Sequence, residues 1–219
     1  MSTVTKKSTR EKLVDTALYL FWLKGYSATS IADILGPAGV NAGSFYHFFK
    51  RKEDLLLAVL QLYVDSLDSV ILAPVRERFP DPIDRVFGIL DFYRQNLIAT
   101  GCSYGCPIGR LALEIAPEQV DVHRWITANF DGWTRAVEEF LGEAAGRFPP
   151  GTDLAALSKF VLTVMEGGVM QARAHRDLAP FDASVAHLRE YFRLLTASPP
   201  SLSDQADGAG ASPAGENRF

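Results

Sequence analysis

Cysteine is nearly missing from this chain: 219 residues contain two, Cys102 and Cys106, with three residues between them. A pair so placed cannot staple a fold, and a reducing compartment keeps both as thiols. Histidine is scarce too, at four, and Cys102, Cys106 and His123 find no fourth ligand at zinc-binding spacing, so no metal and no cofactor is expected. No apolar run approaches the ~20 residues of a membrane span, and the polar stretch from Met1 to Lys12 is unlike a secretory leader. The expectation is a cytoplasmic protein without a membrane partner. Strand-like alternation persists nowhere, and no repeat recurs at a fixed period. Neither Cys106 alone nor a pair such as His123 and Glu114 assembles a nucleophile, base and orienting group, which leaves no catalytic residue to name and argues against an enzyme.

What is present is an uneven charge. The chain carries a net charge of -4, yet residues 1–52 hold eight basic against three acidic side chains, +5, which leaves -9 for the remainder. A basic head on an acidic body suits a protein of which one end alone approaches a polyanion.

The hydrophobic spacing predicts helices throughout. Ser8 and Glu11 have the form of a capping box before a helix carrying Leu13, Ala17, Leu20 and Phe21, stopped by Gly25. Thr29 or Ser30 caps a short second helix to Leu35, where Gly36-Pro37 weakens it, and Gly39 permits a tight turn. Asn41 caps a third helix through Phe49, and Lys50-Arg51-Lys52 leads into a long fourth. Beyond about Pro74 the helices lengthen and are punctuated by proline and glycine. Pro82, Pro107 and Pro117 open three of them, and Asp153 and Asp182 cap the last two. The fold class is all-α: an N-terminal three-helix domain with a helix-turn-helix, joined by the long fourth helix to a larger helical domain. The expected limits are 9–56 for the head, 57–197 for the body and 198–219 for a tail too rich in Ser, Pro, Gly, Ala and Asp to order itself.

A helix that reads DNA is short and projects small and polar residues from its first turns. Asn41, Ala42, Gly43, Ser44, Tyr46 and His47 fit that description: Ala42 and Gly43 allow close approach, Asn41 and Ser44 donate or accept, and Tyr46 and His47 reach phosphates or base edges. Phe45, Phe48 and Phe49 are expected to anchor the helix. Thr29 would offer a hydroxyl at a helix start to a phosphate, with Lys50 and Lys52 supplying charge at the flank.

The segments Gly25-Tyr26, Thr29-Ser30-Ile31-Ala32-Asp33-Ile34, Ala38-Gly39-Val40, Gly43-Ser44-Phe45-Tyr46-His47-Phe48-Phe49 and Lys52-Glu53-Asp54-Leu55 together resemble the DNA-binding domain of the TetR family. The resemblance covers residues 9 to 56. It implies backbone-contacting roles for Tyr46, His47 and Lys52, and places Thr29 where the family has a threonine at the start of the second helix. Asn41 stands where serine is usual and Leu35 where alanine is, and Gly36-Pro37 interrupts a helix that is normally regular. The resemblance further implies a homodimer built through the last two long helices, a palindromic double-stranded operator with reading heads roughly 34 Å apart, and release by a small-molecule effector.

For the dimer, Leu154, Leu157, Val161, Val164, Met165 and the small pair Gly167-Gly168 would face Val185, Leu188, Tyr191, Phe192 and Leu195, unless both stripes face the core of their own chain. For the effector, Phe87, Tyr93, Tyr104 and Trp133 are candidate walls of an apolar cavity and Arg110, His123 and Glu166 its polar groups, unless the aromatics are ordinary core. The segment Gly105 to Glu114 is similar to a Gly-Cys stretch in a subset of TetR regulators, some of which respond to reactive electrophiles. Cys106 at a helix start, with Arg110 a turn away, could be a lowered-pKa redox or electrophile sensor, or simply a buried core thiol. An effector-free DNA-binding protein is the other alternative.

Overall fold

The computed structural model of the protein describes residues 7–197, so the segment 198–219 expected to be a disordered tail lies outside the described residues. Among these residues every regular element is helical. Helix α1, Thr9–Lys24, begins at the capping box read from sequence: Ser8 N–H donates to the Glu11 carboxylate at 2.7 Å while Ser8 Oγ accepts from Glu11 N–H at 3.2 Å. It stops at Gly25, whose φ of +93° a side chain would strain.

Helix α2, Ile31–Ala38, is capped by Ser30 in a second reciprocal box with Asp33. It does not end at Leu35, as expected, but continues through Gly36 and Pro37. Proline in this last turn removes only one backbone bond, and Gly39, left-handed at φ +64°, closes the helix by donating to Gly36 O. Helix α3, Ala42–Phe48, starts at Asn41, whose Oδ1 accepts from Ser44 N–H at 2.8 Å. The three helices close around Leu13, Ala17, Ile34 and Phe45, all buried.

Helix α4, Lys52–Leu67, passes through a wider π-type turn, Asp68–Leu72, into α5, Ala73–Arg78. Pro74 therefore does not break the connector; it sits in the first turn of α5, where a missing N–H is harmless. The stretch Lys52–Arg78 spans 27 residues and contains an 18-residue window with a mean hydropathy of 1.8, long and apolar enough by those measures to cross a bilayer, contrary to the expectation that no such run exists. In the fold it is a packing helix: Leu55, Leu56, Val59 and Leu60 are buried, and α4 rests on α1 and α8.

The body comprises α6 (Pro82–Ala99, capped by Asp81), α7 (Pro107–Glu114, capped by Cys106), α8 (Val120–Glu143), α9 (Leu154–His175, capped by Asp153) and α10 (Ala179–Thr196). Two helix starts differ from expectation. Pro117 lies in a turn ahead of α8, and Asp182 is no cap: it sits inside α10 and grips Arg94 of α6 through two bonds of 2.8 and 2.9 Å.

The apolar stripes of α9 and α10 also divide. Leu157, Val161, Met165, Leu188 and Phe192 are buried within the chain, and a Cβ on Gly168 would meet the Phe181 ring at 3.1 Å, so that glycine lets α9 and α10 of one chain approach each other. The outward face carries Phe160, Tyr191 and Leu194, exposed, beside a shallow groove that includes Val164, Gly167 and His187.

Candidate nucleic-acid interface and ligand cavity

Helix α3 presents the face that sequence assigned to it. Asn41, Ala42, Gly43, Tyr46, His47 and Lys50 are exposed and Ser44 is half-buried, while Phe45 and Phe49 anchor the helix from below. Tyr46, 56 % exposed, leans edge-on against Phe45. Phe48 departs from its expected anchoring role: it is 42 % exposed and stands edge-to-face with His47, because position 48 falls on the solvent side of so short a helix.

Two flanking residues turn inward. Thr29 is fully buried and its hydroxyl donates to Gly25 O at 2.7 Å, so it ties the end of α1 to the start of α2 and is withdrawn from any phosphate. Lys52 Nζ donates to Tyr26 O at 2.9 Å and Thr29 O at 3.0 Å and lies 4.1 Å over the Tyr26 ring. Partial burial lowers its pKa from the usual lysine value. Its charge closes the loop between α1 and α2 instead of extending to the flank.

The eight candidate ligand residues separate into three groups. Tyr93, Tyr104 and Trp133 line a cavity of about 350 Å³ between α1, α4, α6 and α8, with Trp22, Tyr63 and Asn129 as further wall residues that sequence reading missed. The ring centroids of Tyr93 and Trp133 are 5.5 Å apart, and those of Trp22 and Tyr104 are 5.0 Å apart. Cys106, Arg110 and Glu166 line a second, more open hollow of about 610 Å³ between α7, α8 and α9. Phe87 and His123 belong to neither. Phe87 is core, edge-on to Phe192 under the Arg189 guanidinium, and His123 lies on the outer surface of α8 near Ala116 O.

Between the two hollows lies a chain of polar groups. The Tyr93 hydroxyl is 3.8 Å from Cys106 Sγ, which accepts from Gly109 N–H at 3.5 Å, and Glu166 crowds so closely over Gly109 that a Cβ there would collide with Oε2. Among the described residues Glu166 Oε1 is buried without a hydrogen-bond partner, and burial raises the carboxyl pKa. These surroundings overturn the reading of Cys106 as an activated thiol. The residue is 5 % exposed, and burial together with the Glu166 carboxyl pushes its pKa far above the ordinary thiol value. A helix start alone cannot offset that, and Arg110 is turned elsewhere.

Arg110 points to the head. Its guanidinium reaches the carbonyls of Trp22 and Leu23 at 3.4 Å and of Lys24 at 2.5 Å, the last carbonyls of α1, and it pairs with Glu114 at 2.5 Å. Glu114 in turn accepts from Ser27 N–H at 3.1 Å, and Trp22 Nε1 donates to Gly105 O at 3.0 Å. Gly25 fits beneath this clasp only because it lacks a Cβ, which would collide with both Arg110 and Glu114. Helix α7 thus walls the cavities and holds the end of α1 at once.

Known proteins share both halves of this arrangement. Residues 13–59 match the family described as bacterial regulatory proteins, tetR family, and residues 82–187 match the C-terminal domain of the LmrA/YxaF-like transcriptional regulators. An uncharacterized HTH-type transcriptional regulator of Mycobacterium tuberculosis is 31 % identical over 202 residues, covering 89 % of this chain and 97 % of that protein. The HTH-type transcriptional repressor DhaR of a Mycobacterium species is 27 % identical over 199 residues, covering 90 % and 97 %. The crystal structure of a TetR transcriptional regulator from Chloroflexus aurantiacus superposes with a TM-score of 0.70 at 28 % identity, covering 84 % of this chain and 94 % of that one.

Proposed function

The chain belongs to the TetR family of transcriptional regulators, whose members are not enzymes, and on that premise we propose that it is a cytoplasmic repressor that binds a palindromic operator as a dimer and is released by a small-molecule effector. The observation that carries the reading is the exposed face of α3, where Asn41, Ala42, Gly43, Ser44, Tyr46 and His47 stand over buried Phe45. Small residues near the start of such a helix let it enter the major groove, and the polar ones then meet base edges and phosphates. Lys50, exposed at the end of the helix, adds a phosphate contact.

Homodimerisation is assigned to the outward strip of α9 and α10 centred on Phe160, Tyr191 and Leu194. The effector site is assigned to the 350 Å³ cavity, a volume within the ~300–1,000 Å³ of small-molecule pockets. The clasp of Arg110 and Glu114 on the end of α1 gives an occupant of that cavity a mechanical route to the head. Release follows if the occupant binds better to the form whose heads are wrongly spaced.

Selection of operator sequences from random duplexes by the full-length protein, followed by affinity measurement for Ser44→Ala and Tyr46→Ala, tests the reading. The expected outcome is an inverted repeat and a loss of about tenfold for each variant, near the ~1–3 kcal/mol of a base or phosphate contact. Selection of no common sequence, or variants that bind as the parent does, would overturn it.

A further inference from the structure

Asn129 is among the few buried polar side chains of the body, 5 % exposed in the middle of α8. Its amide nitrogen donates to Leu60 O of α4 at 3.2 Å and to Trp125 O one turn back at 2.8 Å. Because both partners are carbonyls, the network fixes which end of the amide is nitrogen and directs Oδ1 away from them. Oδ1 receives no hydrogen bond from the described residues. It is not sealed in protein either, since Glu166 Oε1 is the one oxygen among them that is both shut off and unpartnered. Asn129 lines the 350 Å³ cavity, and with its amide nitrogen engaged by two carbonyls, Oδ1 is the side-chain atom left to answer an occupant there.

Among the described residues, the rest of that lining contains no lysine, arginine, histidine, aspartate or glutamate. Burial holds the phenols of Tyr63 and Tyr93 in their neutral form, raising the pKa of each. An ion entering the cavity would shed its hydration without meeting a counter-charge. A neutral flat molecule would bury apolar surface against Trp22, Tyr104, Tyr93 and Trp133, and a donor on it would satisfy Oδ1.

We propose that Asn129 is the specificity-determining acceptor of this cavity, and that its ligand is an uncharged, flat, apolar molecule presenting one hydroxyl or N–H donor. The inference rests on the reading of the cavity as the effector site and narrows it to a chemical class.

Calorimetric titration of the full-length protein with beta-naphthol, its methyl ether and the corresponding naphthoate tests it. Expected is binding of the naphthol about tenfold tighter than the ether, the equivalent of one well-made hydrogen bond, with the naphthoate weakest. In Asn129→Leu the ratio of naphthol to ether should fall to about one while the ether still binds. The parental ratio needs no variant, so a failure of Asn129→Leu to fold leaves the test intact. Equal binding of naphthol and ether, preference for the naphthoate, no binding of any of the three, or a folded Asn129→Leu that keeps the ratio would each overturn the inference. Operator affinity measured in the same mixtures separates the two readings. A naphthol preference with unchanged DNA binding overturns effector control and leaves the cavity chemistry standing, whereas release from DNA by the naphthoate alone does the reverse.

Discussion

Removing the Arg110 guanidinium tests whether α7 holds the head in place. Arg110→Met keeps the aliphatic stem but deletes the cation that serves three carbonyls at the end of α1 and the Glu114 carboxylate. A cation at a partly buried helix C-terminus is worth up to ~2 kcal/mol, and a charged hydrogen bond ~1.5–3. The side chains of Arg110 and Glu114 are 23 % and 20 % exposed, so water recovers part of the loss, and the net cost comes to about 2 kcal/mol. For a domain of this length, unfolding should begin some 4–8 °C lower in differential scanning calorimetry. Glu114→Gln should cost less, because the amide carbonyl that replaces the carboxylate would still accept from Ser27 N–H. The double variant should be less damaged than the sum of the two by about 1 kcal/mol, since both act on one segment. Additive effects within ~0.3 kcal/mol, or an Arg110→Met melting point within about 1 °C of the parent, would refute the clasp.

Burial raises the Glu166 pKa above its ordinary value near 4.5. The folded state therefore binds that proton more tightly than the unfolded chain, and the stability associated with it is complete below the ordinary value and is lost as pH rises through the folded one. Glu166→Gln should accordingly raise the melting point at about pH 8 and lose that advantage near pH 4; an equal effect at both would disprove a carboxyl whose charge is penalised by burial. Lys52→Met should lower the melting point by roughly 2–6 °C by freeing the carbonyls of Tyr26 and Thr29, and leave the salt dependence of DNA binding unchanged within about half a unit. A slope smaller by about one unit without thermal destabilisation would instead make Lys52 a phosphate contact.

Much of the head was legible because its signals are local. Ser8 with Glu11 and Asn41 before Ser44 satisfy backbone groups within three residues, so their chemistry is readable from spacing, whereas the choice of Ser30 over Thr29 as the second cap was made by the fold. The exposed and buried sides of α3 follow from helical period in the same way, with Phe48 the exception at the last turn. The candidate cavity was legible only by residue type. Tyr93, Tyr104 and Trp133 were found as aromatics, but so was Phe87, whose partners Phe192 and Arg189 lie far along the chain. Asn129 gave no local signal, since one of its two carbonyl partners is on another helix.

Amino-acid order alone settled which segments coil, where most of them begin and which face of the reading helix is polar, because caps and periodicity act over a few residues. Tertiary structure decided what lies opposite each face. It turned Thr29 and Lys52 inward, closed Cys106 behind Tyr93 and Glu166, directed Arg110 to the end of α1, and divided the stripes of α9 and α10 between the core and the outer surface. These outcomes depend on contacts between residues distant in sequence, and such contacts fix both the dielectric around an ionisable group and the partner a polar atom meets.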